Sequence, residues 1–125
     1  MARSQFRSKR SVSGKKYVAL RKKRASELAG APALTHIGVN RLKVKRVMGG
    51  NSKKALLRGD VVYVANGAKT TKLAIQSVVN NPANINYTRR NIITKGCIVK
   101  TEKGDVKITS RPGQEGVLQG VLVNN

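Results

Sequence analysis

Few residues in this chain are equipped for covalent or acid–base chemistry. The acids are Glu27, Asp60, Glu102, Asp105 and Glu115, alongside a single histidine, His36, and a single cysteine, Cys97. General acid–base catalysis needs ionisable groups in a concave, partly desolvated site. Glu102 and Asp105 are close in sequence, but the Lys103-Gly104 turn between them puts both on a hairpin surface. Cys97 has only His36 as a conceivable activating base, so it reads as a small buried hydrophobe at the start of a strand. His36 lies in a stretch read as a loop, with no second histidine and no nearby cysteine, and does not make a metal site. Gly14-Lys15 and Gly67-Ala68-Lys69-Thr70 are fragments of a phosphate loop without its full spacing. No catalytic residue, metal, cofactor or small-molecule substrate is expected.

What the chain has in quantity is fixed positive charge. Its 125 residues carry 26 Lys and Arg against five acids, a net charge of +21. Such an excess opposes compaction unless a polyanion neutralises it. Phosphate contacts and counterion release make nucleic acid the leading partner class. Residues 1–58 hold 17 of the cations and one acid, Glu27, whereas residues 59–125 hold nine and four. Three groups of candidate contacts follow. The first is Arg3, Arg7, Lys9, Arg10, Lys15, Lys16, Arg21, Lys22, Lys23 and Arg24, spread among Ser and Gly. The second is Arg41, Lys43, Lys45, Arg46, Lys53, Lys54 and Arg58, together with Asn51. The third is Arg89, Arg90, Lys95 and Arg111, which flank loops in the weakly charged half.

The elements that must position these groups follow from local pattern. Arg41 to Arg58 reads as two strands joined by a tight turn at Gly49-Gly50-Asn51, where Gly tolerates positive φ. Leu42 and Val44 point one way, Lys43 and Lys45 the other. The alternation slips at Arg46-Val47, which predicts a bulge or change of face. In the second limb Ala55 and Leu57 oppose Lys54, Leu56 and Arg58, so one surface is expected to join a core and the other to carry cations. Residues 1–30 have too little apolar side chain for a core. They read as a basic arm, disordered alone and able to extend roughly 100 Å at about 3.3 Å per residue. Val18 to Leu28 is expected to form a short helix on contact with phosphates. Residues 31–40 form a linker, with Pro32, Gly38 and Asn40 as turn residues.

Residues 41–125 are the body. Short β-branched strands are expected around Asp60–Ala65, Lys72–Val79, Ile92-Ile93, Cys97–Val99, Val106–Ile108 and Val117–Val123. Asn66-Gly67 and Glu102–Asp105 give hairpin turns. Tyr87–Arg90 is a loop or one helical turn, and Ser110–Gly116 is a loop. The pattern predicts an all-β fold, a small β-barrel body with a long basic N-terminal extension.

The partner class narrows further. Only Phe6, Tyr17, Tyr63 and Tyr87 are aromatic. Modules that grip single strands stack bases on aromatic platforms. This chain is therefore expected to recognise the shape and phosphates of folded RNA. The arm lacks the apolar face of a membrane-surface helix. No apolar run approaches the roughly 20 residues of a membrane span, and none matches a signal-peptide core. One cysteine excludes an intrachain disulfide and suits a reducing, cytoplasmic compartment. Charge alone leaves a DNA-binding architectural or chromatin-type protein open, though the arm has almost no apolar wedge residues.

The chain resembles, nearly end to end, the eighth small-subunit ribosomal protein of the archaeal and eukaryotic type. The resemblance is carried by Ser13-Gly14, Arg21-Lys22-Lys23-Arg24 with Glu27-Leu28, and Leu34-Thr35 with Gly38. It continues through Arg46-Val47 with Gly49-Gly50-Asn51, then Ala55-Leu56-Leu57-Arg58 and Asn81-Pro82-Ala83-Asn84. Tyr87 with Arg89–Gly96, and Thr109–Gln114 with Gly116, complete it. The short length, without the insertion of eukaryotic members, looks archaeal. The resemblance implies a barrel body, a place on small-subunit rRNA beside neighbouring ribosomal proteins, and no catalytic activity. Two positions depart from the family pattern, each by loss of a cation. Ala29-Gly30 stands where Gly-Arg is usual, and Met48 stands where Arg is usual.

Overall fold

The computed structural model describes residues 8–18, 21–67 and 69–123. The chain divides into two units, residues 1–32 and 33–125.

The second unit is built on a closed five-stranded barrel of β4 (Val61–Asn66), β5 (Lys69–Asn80), β7 (Ile98–Thr101), β8 (Gly104–Ile108) and β9 (Gln119–Leu122). Alternation explains which side chains fill it. Val62 and Val64 are fully buried while Tyr63 between them is exposed, and Val106 and Ile108 flank exposed Lys107 in the same way. On β5 the buried positions step from Leu73 and Ile75 to Val78, a break in the period of two. The ladder with β7 shifts register at that place, between Ile75 and Ser77 and again between Val78 and Asn80. These bulges bend the long strand and let it serve both β4 and β7. The Asn66-Gly67 and Glu102–Gly104 turns join β4 to β5 and β7 to β8 as expected, with Gly67 at φ 60° and Gly104 at φ 118°.

Closure comes from β9, which lies antiparallel to β8 and parallel to β4, pairing Val64 with Gly120. A Cβ on Gly120 would stand 2.5 Å from Val106 Cγ1 and 2.7 Å from the Lys107 carbonyl oxygen. Only a residue without a side chain admits this approach.

A separate four-stranded sheet carries the central hairpin, in the order β2 (Arg41–Arg46), β3 (Ser52–Gly59), β1 (Thr35–Ile37), β6 (Ile92–Ile93). Four expectations are corrected here. Residues 35–37, read as part of a linker, form β1, which pairs parallel to β3 and antiparallel to β6. The Thr35 hydroxyl, fully buried, donates to the Leu56 carbonyl at 2.7 Å, so the segment is tied into the body. The bulge lies at the root of the hairpin, between Arg41 and Leu42, and not at Arg46-Val47. Leu56, which alternates with Ala55 and Leu57, is the residue of β3 that joins the barrel core, on the surface that also carries Lys54, so the expected division into a core surface and a cationic one does not hold. Finally, the loop expected at Ser110–Gly116 contains a short helix, α2 (Pro112–Glu115), with Pro at its start and Gly116 in the left-handed region as its cap. Helix α1 (Ile85–Arg89) supplies the expected turn before β6.

At one edge of this sheet the two residues of β6 are buried; at the other, all six residues of β2 are exposed.

Gly120→Ala is expected to lower unfolding stability by about 1–3 kcal/mol through overpacking. A denaturant midpoint measures this directly. Cys97 offers a second readout, since it is fully buried and burial pushes its thiol pKa up. A thiol reagent should label it only through opening of the barrel, and faster in the Gly120→Ala variant.

Candidate nucleic-acid interface

The hairpin of β2 and β3 is anchored at its root and free at its tip. At the root, Leu56 is buried in the barrel core, and Gly116 of the α2 cap sits against Leu42. A Cβ on Gly116 would lie 2.7 Å from Leu42 Cδ1 and 3.4 Å from Lys54 Cβ. Beyond this contact the register pairs Lys43 with Ala55, Val44 with Lys54, Lys45 with Lys53 and Arg46 with Ser52. Directly opposed residues share a face. Lys43, Lys45 and Lys53 therefore lie on one face, and Arg46 and Lys54 share the other with Leu42 and Val44. Cations thus occupy both faces toward the tip, rather than one face opposite a buried one.

Like charges directly opposite, as Lys45 and Lys53 are, destabilise a ladder. Among the described residues the one ion pair is Arg21 with Glu27, so none of the seven hairpin cations has an acid within 4.0 Å. All seven are exposed.

The tip is a 3-10 turn, Met48–Gly50, closed by the Val47 N–H donating to the Asn51 carbonyl at 2.8 Å. The Asn51 side-chain amide donates back to the Met48 carbonyl at 3.3 Å. Gly49 and Gly50 have φ of 73° and 74°. An open depression lined by Lys45, Arg46, Met48, Gly49, Gly50 and Lys53 sits here. Met48 is 92% exposed. With no side chains on the two glycines, a bulky anion can approach the backbone between the flanking cations.

Arg89, Arg90, Lys95 and Arg111 are exposed but sit on three separate connections. Polar groups, Asn81 and Ser110 of them buried, hold those connections in place. Asn81, 3% exposed, donates to the Ile92 carbonyl at 3.0 Å and accepts from the Ala83 N–H at 3.1 Å and the Thr94 hydroxyl at 2.9 Å. Asn91 adopts φ 49°, and its side-chain Oδ1 accepts from the Val78 N–H at 3.3 Å, which fixes the chain just after Arg90. Lys95 occupies the turn closed by the Cys97 N–H donating to the Thr94 carbonyl at 3.2 Å. Arg111 precedes α2, where the buried Ser110 hydroxyl accepts from the Gln119 N–H at 2.9 Å and donates to the Val117 carbonyl at 3.1 Å. Sequence reasoning did not single out Asn81, Asn91 or Ser110 as positioning residues. Their neighbours gave only general turn signals.

The first unit holds the remaining candidates. Arg3 and Arg7 lie outside the described residues. Arg10 and Lys16 form an isolated bridge around a turn with Gly14 at φ 80°, and Arg10 Nη1 donates to the Gly14 carbonyl at 2.8 Å. Within the stretch expected to be helical, the described residues show a single 3-10 turn, Ala25–Glu27. Arg21 is set apart from the other arm cations by its ion pair with Glu27, which raises the Arg21 pKa and lowers that of Glu27. No described residue of this unit before Ala33 is buried.

The five cations not chosen from sequence lie on the barrel strands and turns. Lys72 Nζ stands 5.8 Å from the Tyr63 ring centroid, and Lys100 faces Asp105 across the β7–β8 ladder. Charge on the barrel wall thus finds some company within the chain. Among the described residues no three His, Cys, Asp or Glu side chains cluster as metal ligands do. No helix among them is long and apolar enough to cross a membrane.

Fold and charge together define a small basic β-barrel protein with a projecting cationic hairpin. Compared with known families, residues 4–123 match the model described as Ribosomal protein S8e. The chain belongs to the ribosomal protein S8e family. Its relatives include a protein of Methanospirillum hungatei, 46% identical over 121 residues, covering 95% of this chain and 97% of that one. A protein of Methanobrevibacter smithii is 47% identical over 125 residues, covering 98% and 100%. One from Nanoarchaeum equitans is 47% identical over 121 residues, covering 95% of each. All three are named small ribosomal subunit protein eS8.

Replacing Gly49 or Gly50 by Val should destabilise the hairpin turn by about 1–2 kcal/mol, because a β-branched residue resists positive φ. A Cβ on Gly50 would meet nothing within 4 Å, so there the cost is backbone alone. Hydrogen exchange of the β2–β3 amides measures it locally.

Proposed function

We propose that this protein is a structural, non-enzymatic constituent of the small ribosomal subunit that binds folded rRNA through phosphate and shape contacts. Its working place on this reading is the ribosome in the cytoplasm, beside other ribosomal proteins. Family membership supports the assignment to the subunit. The observation that carries the RNA contact is the hairpin. Seven exposed cations without an acid among them line the hairpin from its root to its glycine tip, and two directly opposed pairs, Arg41 with Arg58 and Lys45 with Lys53, stand at a cost. A polyanion turns that cost into binding energy. Duplex DNA would satisfy the same electrostatics, but no feature favours it and the family points to rRNA.

On this reading the contacts divide by rigidity. The hairpin cations and the group of Arg89, Arg90, Lys95 and Arg111 are presented by a folded body. Residues 1–30 form an extension that, apart from the ion-paired turn at residues 21–27, is disordered alone and orders on RNA. Its described hydrogen bonds are local and none of its described residues is buried, so little offsets the roughly 1–2 kcal/mol per residue of backbone entropy that ordering costs. A chain beginning at Ala33 should fold by itself and give dispersed amide NMR signals.

Binding to one rRNA fragment across a salt series tests the reading. If about half of the ten arm cations meet phosphates, deleting residues 1–30 should remove about 3–5 units from the slope of log K against log salt. Replacing Arg89 and Arg90 by Gln should flatten the slope by about 1–2 units. Equal slopes for all three proteins would overturn the phosphate assignment.

A further inference from the structure

Residues 1–58 contain one acid among 17 cations. That acid, Glu27, is engaged three times. Its carboxylate accepts both terminal guanidinium nitrogens of Arg21, Nη1 at 3.1 Å, and accepts the backbone N–H of Arg24 at 3.2 Å. The 3-10 turn closes beneath it, with the Glu27 N–H donating to the Arg24 carbonyl at 3.0 Å and the Leu28 N–H to the Ala25 carbonyl at 3.3 Å. The Glu27 side chain is 16% exposed and that of Arg21 41%. Residues 21, 24 and 27 are thereby pinned to one another. Between the pins lie Lys22 and Lys23, which with Arg24 are exposed.

We propose that Glu27 is a positioning residue, which folds residues 21–27 into a closed loop presenting Lys22, Lys23 and Arg24 together to the phosphates of folded RNA. The inference rests on the RNA-binding reading above. An acid inside a polyanion-binding segment repels the ligand, so by charge alone its removal strengthens binding to any polyanion. A positioning acid has the opposite signature on a ligand of fixed shape. Its removal releases three adjacent cationic side chains into a flexible chain, and their ordering must then be met at binding. The pairing is bidentate and shares its carboxylate with a backbone N–H, which adds geometric specificity to a pair otherwise exposed to solvent.

The test uses the full chain with Glu27→Gln and Glu27→Ala, a folded rRNA fragment, and heparin as a polyanion without fixed shape. Heparin affinity should hold or rise in both variants. Affinity for the folded rRNA should fall by about fivefold in Glu27→Ala, the equivalent of an exposed pair at the upper end of its usual range, and less in Glu27→Gln, which keeps an acceptor for the Arg24 N–H. Amide chemical shifts of residues 22–27 should move toward random-coil values in Glu27→Ala. If the parent chain binds rRNA with a steep salt slope but both variants bind it as tightly or more tightly, the positioning role is overturned and the RNA reading stands. If the parent chain does not bind rRNA, both fall.

Discussion

The approach of β9 to β8 at Gly120 is the constraint from which the rest of the body follows. Parallel pairing with β4 turns a curved sheet into a closed one and leaves the barrel without edges. It also fixes the chain leading into β9. Leu118 is fully buried beside Gly59, where a Cβ would meet Leu118 Cδ1 at 3.2 Å and Leu56 Cδ2 at 3.0 Å. The Ser110 hydroxyl bridges the two ends of the α2 connection, and the cap of α2 presses on Leu42. Closing the barrel thus seats the root of the hairpin, while the cationic tip, many residues away in sequence, takes no part in that packing.

This division lets the chain carry its charge at tolerable cost. A folded domain with a large excess of one sign repels itself. Here the buried side chains among the described residues are uncharged, Thr35, Asn81, Thr101 and Ser110 being the polar ones, and on the barrel wall Lys100 stands opposite Asp105 and Lys72 over the Tyr63 ring. The seven hairpin cations, with no acid within 4.0 Å, and Arg89, Arg90, Lys95 and Arg111 stand exposed on a projecting hairpin and on loop ends. In these places solvent screens them and the fold loses little to their repulsion.

Local features of the fold were legible in the sequence, and features made by distant partners were not. Asn66-Gly67, Gly49-Gly50 and Lys103-Gly104 announce turns because the signal and the structure occupy the same few residues. The strand β1 escaped because three residues, Thr35-His36-Ile37, are made a strand by β3 and β6, elements that follow later in the chain. On β3 the alternation of Leu56 with Ala55 and Leu57 was legible, but not which surface turns inward, because the core that Leu56 joins is built by strands that follow it. The candidate site divides in the same way. Clustered Lys and Arg are visible as composition, whereas Asn81 and Asn91 act through backbone groups 11 and 13 residues distant, which only the fold brings near.

The exposed strand β2 has a further consequence. It forms one outer edge of its sheet, with a row of backbone groups that pair with no other described strand. Such an edge is a template on which a second copy of the chain can align, and Leu42 and Val44 would give the contact an apolar seam. Four of its six residues are Arg or Lys, so two copies brought edge to edge would oppose cations to cations along the seam. The charge is a barrier to self-assembly as well as, on the proposed reading, a means of attachment. On that reading copies made ahead of their polyanion would be kept apart, and a polyanion seated on the hairpin would cover the surface on which they could otherwise stack.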